Sequence, residues 1–301
     1  MNSSLRILAL PLLWFLSCAA PLHAATFATG NLVVYRVGSG SGSLLNTGNP
    51  VFLDEYTPAG VLVQSVAMPT VISGANKRLV ASGTAASEGM LTRSVDGQYL
   101  IATGYDAALP TTGIASTTSA LVNRVIGRVK YDATVDTSTA LTDASDGGNV
   151  RSAASIDGTS FWTTGDAGGI RFALRGATTS KQLESTIVKL RQPLIFSGQL
   201  YVSGGSSTNP RIATVGSGTP ATAGQSITSL PGFPITGSPN SFFLADLSAG
   251  VAGFDTLYVA DDTAGLLKYS LVAGSWTANG IVGTALDLYR GLAAKVSGTT
   301  V

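Results

Sequence analysis

Seventeen acids, eighteen basic residues, one histidine and one cysteine carry most of the side-chain chemistry of this 301-residue chain. Cys18 and His23 both fall in the first 25 residues, which read as a removable leader. A mature chain then holds no Ser-His-Asp or Cys-His site and no His- or Cys-rich zinc site. What remains is carboxylate chemistry, oxygen-ligated metal and binding. A glycosidase needs two carboxyls facing one sugar bond at a set separation. Glu55, Glu88 and Glu184 are the only glutamates, and most aspartates stand beside Gly, Ser or Thr in turn sequences. Asp96 and Asp157 are of this kind, and turn formation accounts for them. Asp143 to Asn149 (DASDGGN) and the pair Asp261-Asp262 could offer oxygens to Ca²⁺, but neither has the spacing of a calcium loop. No cofactor is expected, calcium being the one alternative.

The arginines form a more regular set. Arg93, Arg151, Arg191 and Arg290 each stand just before a short β-rich run. If those runs line a common centre, the four side chains would ring one end of it. Two roles fit. They could form a collar for anions or carboxylates, since the guanidinium fork suits such groups. They could also bond carbonyls or aspartates of the adjacent repeat, and a residue repeated in a repeat protein usually serves the repeat. Trp162, Tyr201, Tyr258 and Tyr269 are expected in the core between repeats rather than as a sugar platform.

The elements that must position these residues are strands. RSAASIDGTSFWTTG (151–165) reads as strand, Asp-Gly turn, strand and glycine stop, and a type I′ turn would need positive φ at both central residues. Related stretches begin at Thr92, Arg191 and Arg290, with a looser copy at Phe242. In each repeat we expect an inner strand A (Met90–Val95, Ser152–Ile156, Gln192–Phe196, near Phe242 and near Gly291), then strands B and C. The less distinct outer strand D has candidates at Ile187–Leu190, Ser226–Leu230 and Trp276–Val282. Before these repeats come a strand at Asn31–Val37 and a hairpin, Val51–Tyr56 and Val61–Val66. Repeats of 40 to 60 residues with four strands each are the mark of a β-propeller. The expected fold is therefore all-β, one propeller over residues 26–301, with six blades and seven as the alternative. The first blade lacks an A strand and the chain stops inside a B strand, so the ring is expected to be incomplete at the C-terminus.

Residues 1–25 carry the marks of an export signal: Arg6, an apolar run from Ile7 to Leu16, and small residues at 24–25. Phe15-Leu16-Ser17-Cys18 is a poor lipobox. Loss of Arg6 leaves 18 − 1 = 17 basic residues against 17 acids, a balance that argues against nucleic acid or an anionic membrane as partner. The protein is expected outside the cytoplasm: secreted, periplasmic or at the cell surface.

The phrases VFLDEYTPAGVLVQSVAMPT, VDTSTALTDA, RSAASIDGTSFWTTG, LPGFP, DTLYVADDTAGLLKYSL and YRGLAAKVSGTTV resemble a family of exported bacterial β-propeller-like proteins of unknown function. The A-B-C order is also similar to that of NHL-type propellers. The resemblance implies the fold and export but carries little mechanism. The expected function is a non-enzymatic binding or surface scaffold for a protein or glycan, the alternative being a carboxylate-based glycan hydrolase or lyase.

Overall fold

In the computed structural model the described residues are 24–205 and 209–301; the expected export signal lies outside them apart from Ala24 and Ala25. The described chain is all-β, with only two short 3₁₀ turns. Strands β1 (Leu32–Val37), β2 (Gly48–Tyr56) and β3 (Leu62–Ala67) form an antiparallel meander, the first unit. A short strand unforeseen in the sequence, β4 (Val80–Ser82), links the start of β2 to the second unit. That unit is β5 (Thr92–Arg93), β6 (Tyr99–Tyr105), β7 (Arg124–Lys130) and β8 (Val135–Leu141).

Three four-stranded antiparallel sheets follow in chain order. The third unit is β9 (Val150–Ala154), β10 (Ser160–Gly165), β11 (Ile170–Leu174) and β12 (Lys181–Glu184). The fourth is β13 (Leu190–Phe196), β14 (Gln199–Gly204), β15 (Ile212–Val215) and β16 (Ile227–Ser229). The fifth is β17 (Pro239–Ala245), β18 (Thr256–Asp261), β19 (Gly265–Val272) and β20 (Ser275–Val282). Such a succession of four-stranded sheets is propeller-like. Among the described residues no helix is long and apolar enough to cross a membrane.

Period-two alternation explains how the units pack, because successive side chains of a strand point to opposite faces. Ala102 joins the core between the first and second units, whereas its neighbour Ile101 joins the core between the second and third. Phe161 and Trp162 divide in the same way between the faces toward the second and fourth units. Ile212 and Ala213 repeat the division one unit later. The second, third and fourth sheets are thus apolar on both faces, and none of them could be stable as a separate domain.

Several sequence expectations need correction. The outer strand of the third unit is β12 at Lys181–Glu184, not Ile187–Leu190, and Leu190 instead opens β13. No strand forms near Gly291; residues 288–296 have no strand pairing, although Ser297 and Thr300 bracket a turn as the Ser-Gly signal suggested. At the Asp-Gly turns only Gly97 and Gly158 have positive φ, so these are not type I′. Asp96 and Asp157 instead accept the amides of Gln98 and Thr159 through their carboxylates, which fixes the turn without αL backbone at the aspartate. The type I′ pattern occurs at Ser197-Gly198 and Ala273-Gly274, where both central residues have positive φ.

Asp136 ties the second unit to the third. Its carboxylate takes Arg128 Nε at 3.1 Å and Arg175 Nε at 2.7 Å, with the amide and hydroxyl of Ser138 completing its shell. Burial alone would raise its pKa, but the Ser138 and Arg175 bonds outweigh it and hold the value at about 2, below the ordinary 3.8. A depressed carboxylate stabilises the fold above its unfolded pKa and loses that contribution as pH falls through the folded one. Asp136→Asn is therefore expected to lower stability by about 2 kcal/mol at neutral pH. The gap to wild type should close between pH 3.8 and about 2 in pH-dependent urea denaturation.

Candidate functional site

Register makes the inner ends of the third, fourth and fifth units equivalent. Val150 pairs with Gly165, Leu190 with Gly204 and Pro239 with Asp261. The next residue on the inner strand is then Arg151, Arg191 or Asn240, and the next residue after the second strand is Asp166, Gly205 or Asp262. The backbone repeats this equivalence: the amides of Asp166, Gly205 and Asp262 donate to the carbonyls of Asn149, Lys189 and Ser238. Side-chain hydroxyls repeat it again, with Thr164 donating to the Arg191 carbonyl and Ser203 to the Asn240 carbonyl.

Arg151 is 8% exposed. Its Nη2 meets Asp166 Oδ1 at 2.8 Å and its Nη1 reaches the Leu190 carbonyl of the next unit at 3.5 Å. Arg191 donates Nη1 to the carbonyls of Ser238 and Pro239 in the fifth unit, at 2.8 and 3.1 Å. Arg290 Nε lies 3.0 Å from Asp262 Oδ1, an ion pair without hydrogen-bond alignment. The carbonyl of Arg290 accepts from Ser241, so this residue sits against the fifth unit's inner strand. Burial lowers the Arg191 pKa, and the positive charges of Arg151 and Arg290 lower it further while Asp262 and Asp261 act against them. Three of the four expected arginines are therefore gathered at one end of the inner strands. The Nε atoms of all three are buried without a hydrogen-bond partner among the described residues.

Arg93 does not join them. It is exposed, and its Nε and Nη2 close on the Gly97 carbonyl of its own turn at 3.1 and 2.9 Å. Sequence position relative to a strand start misled here, because β5 begins later relative to its partner than β9 does: Thr92 pairs with Ile101, whereas Ser152 pairs with Thr164.

Beside Arg151 lies a polar group that sequence reading missed. Glu88 Oε1 accepts from the Tyr105 hydroxyl and from Asn149 Nδ2 at 2.6 Å, and Oε2 accepts from the Ser82 amide at 3.1 Å. Burial pushes the Glu88 carboxyl up, against these donors and the nearby Arg124 charge. Arg124 is fully buried at 0% exposure, packs against the Tyr105 ring and donates to the carbonyls of Thr117, Val122, Ser145 and Gly148. Neither residue carries a local motif, since their roles depend on loops from three units meeting.

The other sequence candidates are engaged within the protein. Asp143 pairs with Arg171 at 2.9 Å and accepts from Ser180, while Asp261 accepts from the amides of Ser238 and Thr263. Among the described residues no three His, Cys, Asp or Glu side chains gather as a metal site. Trp162 is buried between the third and fourth units and donates Nε1 to the Pro220 carbonyl at 2.7 Å. Tyr201 and Tyr269 join the core of the fourth and fifth units, whereas Tyr258 faces Lys268.

No family model and no curated protein matches this chain. Among solved structures, it is similar to a Bacteroides fragilis protein described as a provisional 6-phosphogluconolactonase, at 12% identity over 84% of this chain and 68% of that one, TM-score 0.45. A Bacteroides thetaiotaomicron protein of unknown function aligns at 11% identity over 88% of this chain and 66% of that one, TM-score 0.48. The extracellular domain of a one-component system from B. thetaiotaomicron aligns at 14% identity, covering 83% of this chain and 33% of that one, TM-score 0.43.

Replacing Arg151 by Ala removes a buried guanidinium and leaves Asp166 without its partner. We expect a stability loss of about 1–3 kcal/mol in chemical denaturation. Arg93→Ala, on an exposed turn, should stay within about 0.5 kcal/mol of wild type. Equal losses for the two variants would contradict the distinction drawn between them.

Proposed function

We propose that this chain is an exported, non-enzymatic binding scaffold of the propeller type, whose protein or glycan partner docks over the arginine-lined end of the inner strands. The observation that supports it is the convergence of Arg151, Arg191 and Arg290, with the Nε of Arg151 and of Arg191 buried without a hydrogen-bond partner among the described residues. Guanidinium groups held in this way recognise acidic groups of a partner, and their donors are already oriented. The finer architecture belongs to the same proposal. The sheets are blades, and the segment from Arg290 onward is the inner edge of a sixth, because the Arg290 carbonyl accepts from Ser241 on the fifth unit's inner strand.

A hydrolase on the same scaffold has one observation in its favour, the raised carboxyl of Glu88 near the arginine end. Against it, both Glu88 oxygens already accept protein donors, and a general acid needs a proton free to reach the substrate.

A panel of neutral and acidic polysaccharides and acidic proteins, read for both binding and turnover, separates the two. The scaffold reading expects binding that Arg191→Ala weakens by about tenfold or more, with no turnover of any panel member. Turnover that disappears in Glu88→Gln would replace it with the hydrolase reading.

A further inference from the structure

The outer hairpin of the fifth unit carries an irregularity. Along β19 and β20, Tyr269 pairs with Ala278 and Leu267 with Ile281. Lys268 alone therefore faces two residues, Asn279 and Gly280, which form a β-bulge. This is the one Asn-Gly step in the whole sequence. Both residues are exposed, and β20 is the edge of its sheet, paired to β19 alone. Gly280 has φ +139°, which a residue with a Cβ rarely adopts, and no atom lies within 4 Å of the place a Cβ would take. Its backbone nitrogen thus adjoins the Asn279 side chain with nothing packed around it.

We propose that Asn279-Gly280 is a self-modifying site of the folded protein, at which the asparagine is converted to aspartate and isoaspartate. The glycine nitrogen attacks Cγ of Asn279. An N–Cγ bond forms, the amide proton passes to a solvent base, and the Cγ–Nδ2 bond breaks. The departing nitrogen takes a proton from water and leaves as ammonia. Water then opens the resulting five-membered imide at either carbonyl, which gives the two products. In sum one water is consumed and one ammonia released, so water is the only co-reactant. A Cβ on the following residue and a rigid backbone both obstruct the attack, and the bulge relieves both.

Related steps elsewhere in the described chain lack these features. Asp96-Gly97, Asp146-Gly147 and Asp157-Gly158 lie in turns where each aspartate accepts a backbone amide, from Gln98, Ser119 and Thr159. An ionised carboxylate is also a poorer electrophile than a carboxamide. Asn240-Ser241 is fully buried on an inner strand. At Asn279 the carboxamide donates to Ser270 Oγ at 2.7 Å. The product replaces it with a carboxylate that this hydroxyl can serve as donor, on the strand face that also carries Lys268.

The test maps peptides of the full chain, held folded at mildly alkaline pH, with a synthetic Ser275–Val282 peptide as a clock. By the time the peptide is fully converted, Asn279 of the folded chain should carry aspartate and isoaspartate, ahead of every other asparagine. The rate should rise with pH, because the attacking amide must lose its proton. An isoform one charge more acidic should accumulate on ion exchange, co-elute with Asn279→Asp, and be absent from Asn279→Gln, where a six-membered ring closes more slowly. An intact Asn279 after full conversion of the peptide would overturn the proposal. So would equal conversion at other asparagines, or an acidic isoform that persists in Asn279→Gln.

Discussion

The structure depends on hydrogen bonds between the innermost strands of neighbouring sheets. Between the second and third units, Met90, Val95 and Asp96 donate their amides to the carbonyls of Arg151, Ser155 and Ile156. Thr92 and Ser152 add hydroxyl bonds across the same seam. Thr164 and Ser203 span the next two seams, and Gln192 reaches the Leu91 carbonyl at 3.3 Å, joining the fourth unit to the second. Inner strands so close together cannot leave their polar groups unpaired at small cost, because each buried orphan forfeits its bonds with water. Small hydroxyl residues meet this constraint where bulky apolar ones would hold the strands apart.

The same constraint shapes the arginine end. Where the inner strands turn outward, guanidinium groups bond backbone carbonyls of neighbouring segments. Arg191 covers two of these, and Arg124 covers four among the loops of the second and third units. A fork with five donors is well suited to that geometry. The Nη1 side of Arg191 thus serves the fold.

The strands were largely legible in the sequence because both faces of the second, third and fourth sheets are apolar and the hairpins announce themselves with Gly. Strands β16 and β20 match the expected outer segments closely, and the arginines at 151, 191 and 290 do gather. The exceptions have physical causes. Arg93 was grouped with them as standing before an inner strand, but it stands four residues before its turn glycine Gly97 and pairs with Leu100, whereas Arg151 and Arg191 stand seven before Gly158 and Gly198. Ile187–Leu190 has strand composition, yet Lys181–Glu184 is what reaches β11, because the loop between them is needed to cross to the next sheet. Glu88, Arg124 and Asn240 gain meaning only where separate loops meet.

Hydrogen exchange resolved by residue tests most directly whether the inner seams hold the units together. The account predicts that the amides of Met90, Val95, Asp96, Lys189 and Gly205, which bond across or beside the seams, exchange at the rate of global unfolding. Those of the outer strands β12, β16 and β20 should open earlier. Outer strands more protected than these amides, or units that exchange independently of one another, would contradict it.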